Sequence, residues 1–471
     1  MREIIRTLSN RELIAVAQQQ AKGANAQEAW DKVNAVLLDP SALGVVYNSG
    51  GKDYYQQNSE GRWVRFSRDA IRNQLNVKHE LPGVVLAGVD FTAIDAALAV
   101  IETECEVALA VSLAGHFAGI EIGRDRTPIL ITMSPNLTVG RPGQWPNWEY
   151  VLQEVFGNQF EYFWGSLAIA RQSLRHRRFV PNRAQIIAGP HSCGKTLLAR
   201  RLITPLLGGR HANPYDYMTQ STNFNADMIG SEHLALDDDN PHYDKRSRET
   251  FGNMIKKVVA TPEHALHPKG VDKYMVQIHW YMSIMVNDSP HSLQILPALD
   301  EALLDKVCLY RLIKSPNVQF PATPTEMDEF NAKLDAELPA VAYALDSYQI
   351  PEALQCERYM IKAYHHPELL VHLRDYSSGA ELEELLFNYW VRSDGLFSAA
   401  EIFTNLKENT RARHILAEIA NDSRSLGMKL SELSDRQAQT PSLPWKARVI
   451  KTRNAVSNKN QYKIVAADNQ V

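Results

Sequence analysis

The octapeptide Gly189-Pro-His-Ser-Cys-Gly-Lys-Thr196 constrains this chain more than any other stretch of it. It satisfies G-x-x-x-x-G-K-[ST], the pattern of a loop that wraps phosphates, at every fixed position. The flanks suit that geometry. Gln185–Ala188 is a short apolar run that reads as a strand, and Leu197, Leu198, Leu202, Leu206 and Leu207 recur at helical spacing. Between strand and helix the backbone must turn tightly, which Gly189 and Gly194 permit. Successive N–H groups and the helix N-terminus then face negative charge. The pattern therefore assigns Gly189, Pro190, His191, Ser192, Cys193, Gly194, Lys195 and Thr196 to nucleotide binding. Lys195 reaches the β- and γ-phosphates and the Thr196 hydroxyl ligates Mg²⁺, so ATP and Mg²⁺ are the expected ligands. Cys193 reads as a small filler residue rather than a redox switch.

Strand, loop and helix commit this part of the chain to an α/β fold, and 471 residues allow about three domains. A net charge of −4 gives no global basic character, so a nucleic-acid partner must be met by a local patch. Cys105, Cys193, Cys308 and Cys356 are scattered without C-x-x-C spacing, which points to neither a zinc site nor a disulfide framework. The first twenty residues lack the apolar core of a signal peptide, and no apolar run reaches the length of a membrane span. The expectation is a reducing, cytoplasmic compartment, bacterial or that of a virus-infected host cell, with no membrane partner.

Beyond the loop, Ser231-Glu-His-Leu-Ala-Leu-Asp237-Asp-Asp239 is an apolar strand ending in acids. At such an end one acid holds Mg²⁺ and the next orients or deprotonates the attacking water. Asp237 and Asp238 take those roles, with Asp239 as a substitute. Alone, solvated acids at a strand end explain the string equally well; its place 42 residues after Lys195 suits a neighbouring strand. Arg246–Val259 reads as a helix. Thr261–Gly270 reads as a loop or hairpin leading to Val271–Met275. Gln277–Val286 reads as one long apolar strand ending at Asn287-Asp288. An amide there can contact a γ-phosphate, although Asn-Asp also simply closes strands as a turn.

The flanks are less informative. Residues 1–78 read as a small α/β unit: helices over Asn10–Gln20 and Asn25–Leu38, strands at Gly44–Tyr47, Lys52–Tyr55 and Arg62–Phe66, and a helix capped by Ser67. Tyr54, Tyr55 and Trp63 suit packing on a sheet better than stacking on bases. Residues 79–178 read as mainly helical, with a helical stretch over Asp90–Ala110, a strand at Pro128–Thr132, and helices over Trp148–Phe156 and Phe160–Leu174. The basic run Arg171–Arg178 is a solvated face, a contact to a nucleic-acid backbone, or a contact to a neighbouring subunit's nucleotide. The core spans 179–318.

Residues 319–471 carry helices over Thr323–Leu345 and within His366–Leu386. A capping box at Ser398-Ala-Ala-Glu401 introduces Ile402–Leu406, and helices follow at Arg411–Ala420 and Ser425–Leu433. Trp445–Arg453 and Asn460–Val465 read as two strands around a turn at Asn458–Asn460. Helices followed by a ribbon suggest a winged helix. From Pro441 to Val471 six Lys/Arg face one acid, Asp468, in an otherwise acidic chain. Lys446, Arg448, Lys451 and Arg453 are the DNA-phosphate candidates; packing against a partner protein is the alternative.

Taken together, Lys195, Asp237–Asp239, the intervening basic hairpin and Asn287, 92 residues after Lys195, resemble a superfamily 3 helicase of the AAA+ class. The likeness is to the helicase part of virus- and plasmid-type primase–helicases and covers roughly Trp145 to Leu312. Ser221-Thr-Asn-Phe-Asn225, Ser289-Pro-His-Ser-Leu and Leu296-Pro-Ala-Leu-Asp300 also look like segments of that group. The fold so implied is an α/β P-loop ATPase core with a helical N-terminal region and a C-terminal winged-helix-like domain. The resemblance implies a ring, hexameric in the family, whose hairpin enters a central channel carrying single-stranded or forked DNA. Lys269 would grip the strand, with Lys273 or His267 nearby. It also implies an arginine acting on a neighbour's nucleotide, for which Arg311 is the first candidate and Lys306 the second. Two departures stand out: the second acid is Asp238 where Glu is usual in the wider class, and no Arg pair follows the Asn strand. A separate primase or polymerase partner is left open. A non-unwinding AAA+ ATPase in replication initiation or antiviral defence, and a non-motor DNA-binding protein with a relic phosphate loop, are the rival expectations.

Overall fold

The computed structural model of the chain describes residues 43–79, 93–123, 126–222, 225–237, 245–266, 274–289, 292–297, 299–318, 320–321, 323–375, 378–390, 395–439, 445–454 and 459–466. The two N-terminal helices, Phe224, Asp238, Asp239, the hairpin tip with His267, Lys269 and Lys273, and Asn458 lie outside them.

Elements are numbered in chain order. The three expected strands, β1 (Val45–Asn48), β2 (Asp53–Gln57) and β3 (Trp63–Phe66), pair as an antiparallel meander. Helix α1 (Arg68–His79) starts after Ser67, whose Oγ accepts from Ala70 N at 3.3 Å. Helix α2 (Ala93–Glu104) ends earlier than its apolar run suggests. The chain instead extends into β4 (Glu106–Val107), parallel to β1, and β5 (Leu109–Val111). An apolar run suits a buried strand as well as a helix, and pairing decides here. Strands β6 (Gly119–Ile122) and β7 (Pro128–Ile131) complete a second sheet, ordered β5-β7-β6. The stretch expected to be mainly helical thus holds three strands besides β7, the one expected at Pro128–Thr132, and β4 carries the first sheet across residue 78. Val45, Tyr54, Ile71, Leu75, Ile94, Leu98 and Ile101 share one core, so Tyr54 is a packing residue. Its hydroxyl donates to Glu102.

The phosphate-loop strand is β8 (Ala184–Gly189), buried along its length. With β9 (His211–Ala212), β10 (His233–Leu236), β13 (Tyr281–Asn287) and β14 (Val307–Arg311) it forms an all-parallel sheet ordered β14-β8-β13-β10-β9. A parallel sheet needs cover on both faces. One face packs Ile187, Met285 and Tyr310 against α3 (Pro146–Phe156), α4 (Phe160–Arg175), the helix after the loop and α7 (Pro324–Ser347). The other packs Ile186, Leu234, Ile284 and Leu309 against α6 (Lys245–Ala260) and α8 (Pro367–Asp375).

The helix after the loop, α5, runs as an α-turn Lys195–Leu197, a π-helical Leu198–Ile203 and an α-turn Thr204–Leu206. Thr204 gives both its N–H and its hydroxyl, the latter at 2.9 Å, to Ala199 O, five residues back. Pro205, which lacks an N–H, follows this widened turn.

The long strand expected over Gln277–Val286 is shortened: Gln277 ends a hairpin strand, 278–280 lie in no strand, and the last six residues enter the parallel sheet. β11 (Glu263–Leu266) and β12 (Tyr274–Gln277) make an antiparallel hairpin, and β13 begins only at Tyr281. Between them Ile278 N donates to Pro262 O and His279 N to Ala114 O, so one apolar run serves two sheets. The C-terminal part has its own core. There α9 (Ser378–Tyr389), α10 (Ala399–Glu408), α11 (Ala412–Ile419) and α12 (Ser423–Gln439) pack on a sheet of β15 (Phe397–Ser398), β16 (Ala447–Arg453) and β17 (Asn460–Ala466). The capping box at Ser398 and Glu401 is formed in both directions. Among the described residues no helix is long and apolar enough to cross a membrane.

Candidate nucleotide site

Gly189, the last residue of β8, hands the chain into the phosphate loop. A Cβ there would meet Cys193 Sγ at 2.9 Å and Leu312 Cβ at 3.0 Å, so only glycine lets the loop close on the sheet. Ser192 and Gly194 take positive φ of 58° and 96°, the left-handed turns that aim consecutive N–H groups into one concavity. Burial pushes the Cys193 thiol up, which keeps it protonated and suits a filler. The Phe320 ring covers the loop from outside, 3.2 Å from where a Gly194 Cβ would stand.

Lys195 Nζ donates to Gly189 O at 2.8 Å, Pro190 O at 2.9 Å and Asn287 Oδ1 at 2.9 Å. Asn287 is in reach because β13 lies beside β8 in parallel, with Asn287 opposite Gly189. The next residue, Asp288, donates its N–H to Gly189 O at 3.2 Å. Asp237 follows β10 on the far side of β13, with Arg200 of α5 at 3.6 Å from its carboxylate. Phosphate loop, Asn287 and Asp237 thus share the C-terminal edge of the sheet, where open α/β sheets bind ligands. Thr196 is exposed on the first turn of α5. Among the described residues no group of three or more His, Cys, Asp or Glu could hold a metal by itself. One carboxylate and one hydroxyl beside a phosphate cradle fit Mg²⁺, which keeps its waters and leans on substrate phosphates.

The arginine-finger candidates separate. Arg311, at the C-terminal end of β14, pairs with Asp288 at 3.3 Å and with Glu368 of α8, at this chain's own phosphate loop. Lys306 precedes β14 at the opposite edge, 3.4 Å from Asp305. The hairpin stem packs Leu266, Tyr274 and Val276 against Leu109, Ile129 and Ile131 of the N-terminal sheet. In the C-terminal ribbon Arg448 and Arg453 are exposed, Lys451 pairs with Asp435 at 2.6 Å and Lys446 with Glu384 at 3.8 Å.

Arg171 departs from the rest of its basic run, whose Arg175, His176, Arg177 and Arg178 are exposed. It is 1% exposed, bonded to Asp346 at 2.9 Å, Leu206 O at 2.8 Å and Thr138 O at 2.6 Å. Sequence reasoning also missed Glu232, whose carboxylate pairs with Arg210 and accepts from Gly115 N at 3.0 Å. Its partners lie 22 and 117 residues away, so no local spacing signals them.

Residues 187–298 match the profile of a family of unknown function, DUF5906. No curated protein sequence matches the chain. Two apo structures of the NrS-1 C-terminal region are similar in fold. One has a TM-score of 0.51 at 12% identity, over 92% of this chain and 98% of that one. The other has a TM-score of 0.50 at the same identity, over 92% and 99%. A JCV helicase structure aligns over 49% of this chain and 66% of its own at a TM-score of 0.28, too low to carry a fold argument.

Proposed function

We propose that the chain is an ATP-driven DNA helicase or translocase of superfamily 3 type, working as a ring, a hexamer by the resemblance, in replication of a phage, virus or mobile element. The observation that carries this is the meeting of Lys195 and Asn287 at 2.9 Å on the edge that also holds Asp237. That arrangement supports hydrolysis rather than simple nucleotide storage. It joins a phosphate cradle, a carboxylate for Mg²⁺ and an amide placed to read the terminal phosphate.

In this mechanism the backbone N–H groups of Gly189–Thr196 and the Lys195 ammonium bind the phosphates. Thr196 and Asp237 hold Mg²⁺, which screens phosphate charge. Asp238 takes the proton of the attacking water, and Asn287 orients the γ-phosphate. The Lys269 hairpin grips one DNA strand through its phosphates and so reads no sequence. The C-terminal helices and ribbon act as a winged helix, with Arg448 and Arg453 on DNA.

The test is strand displacement on a forked DNA by the full chain with ATP and Mg²⁺, beside Lys195→Ala. Unwinding by the wild type and none by the variant is expected. ATP turnover without displacement would instead favour a non-unwinding assembly ATPase, and DNA binding without any turnover a non-motor protein.

A further inference from the structure

Arg311 is the last residue of β14, opposite Ala188 and one position short of the phosphate loop. Its two acidic partners lie on different elements. Asp288 follows the candidate sensor Asn287, and Glu368 stands in the first turn of α8. One guanidinium therefore joins the tip of β13, the strand beside the loop and a helix that packs Leu369 and Leu373 under the sheet. Helix α9 follows α8 after two residues and contributes Leu382 and Leu385 to the C-terminal core.

Two carboxylates outnumber the single guanidinium here, and the pair with Glu368 is open to solvent, Arg311 being 35% and Glu368 63% exposed. A triphosphate in the adjacent cradle repels both acids. It also offers Arg311 a planar, bidentate match with more charge than either carboxylate. A solvent-exposed pair is the weakest of the holds on this arginine.

We propose that Arg311 senses the γ-phosphate of its own subunit. Glu368 holds it in the nucleotide-free chain. ATP draws it onto the phosphate and releases α8, and ADP, lacking that phosphate, leaves α8 held. Nucleotide state would then reach the C-terminal unit through α8. This rests on the ATP site proposed above and deepens it.

The experiment measures backbone amide exchange of α8 in the full chain with Mg²⁺ and either a non-hydrolysable ATP analogue or ADP. The wild type should exchange faster with the analogue. Glu368→Gln should exchange fast in both states and bind the analogue about two- to fivefold tighter, with ADP affinity unchanged. Arg311→Met should exchange fast in both states and lose its preference for analogue over ADP. Equal α8 exchange with the two nucleotides in the wild type overturns the sensor, and so does Arg311→Met that keeps the wild-type preference. Glu368→Gln alters only a surface side chain and decides the question even if Arg311→Met does not fold. A wild-type chain that binds neither nucleotide would sink the ATP site itself, a result distinct from one that binds both without moving α8.

Discussion

Lys195 Nζ and Asn287 Oδ1 are 2.9 Å apart, although 92 residues separate them in the chain. The contact exists because β13 lies directly beside β8 and the two end together, with Asn287 opposite Gly189. One ammonium thus ties the loop carbonyls to the amide on the neighbouring strand, and in the proposed site the two side chains would act on one phosphate as a unit.

That unit predicts non-additive kinetics. Lys195→Ala should lower kcat for ATP hydrolysis by about 10²- to 10³-fold, the scale of losing one preorganised donor. Asn287→Ala should lower kcat with little change in KM. The double variant should be hardly worse than Lys195→Ala alone, because members of a unit do not add. Steady-state ATPase assays on the three variants check this, and strictly multiplicative losses would refute the coupling.

Gly194 offers a second test. Its φ of 96° is unfavourable for any residue with a Cβ, and that Cβ would press on Phe320 at 3.2 Å. Gly194→Ala should cost about 1–2 kcal/mol of stability from the backbone alone and weaken nucleotide binding. Adding Phe320→Ala should relieve the contact but not the backbone strain. Thermal melts with and without nucleotide separate the two: a double variant restored fully to the Phe320→Ala level would mean that no backbone strain exists.

The site was legible where the motif is local. G-x-x-x-x-G-K-T, with the strand before it and the helix after it, predicts what the structure places at 184–206, except for the π-turn ahead of Pro205. The adjacency of Asn287 was an expectation from resemblance; nothing in the apolar run Gln277–Val286 says that its first residue closes a hairpin and only its last six belong to the parallel sheet. The N-terminal strands at 106–111 stayed hidden because an apolar run carries no period of its own, and distant partners at β1 and β7 decided them. Arg171 reads as surface charge until Asp346, 175 residues later, folds over it.

The C-terminal ribbon predicts a graded DNA interface. Arg448 and Arg453 are exposed, whereas Lys451 is engaged by Asp435 at 2.6 Å. Replacing Arg448 and Arg453 together by Ala should lower the slope of log affinity against log salt by about 1.4 on single strands, at about 0.7 per phosphate contact. Lys451→Ala should change the slope less than either arginine. Fluorescence anisotropy across a salt series reads this out, and an unchanged slope in the double variant would place the DNA elsewhere.

Buried histidines set the response to acid. The His233 ring lies between the Thr204 and Ser283 hydroxyls, each at 2.7 Å, and joins β10, β13 and the end of α5. Burial pushes its pKa down to about 3 and those of His264 and His279 to about 4. In the unfolded chain each returns to about 6.5. As pH falls below that value the unfolded state takes up protons that the folded state refuses, so stability is full above about 6.5 and declines toward about 4. At pH 5 the loss is roughly 2 kcal/mol per histidine. Urea midpoints should therefore fall steadily from pH 7 to 5. His233→Gln, which cannot titrate, should start lower at pH 7 and fall less steeply. A midpoint that stays flat across this window in the wild type would mean that these rings take up protons in the folded protein.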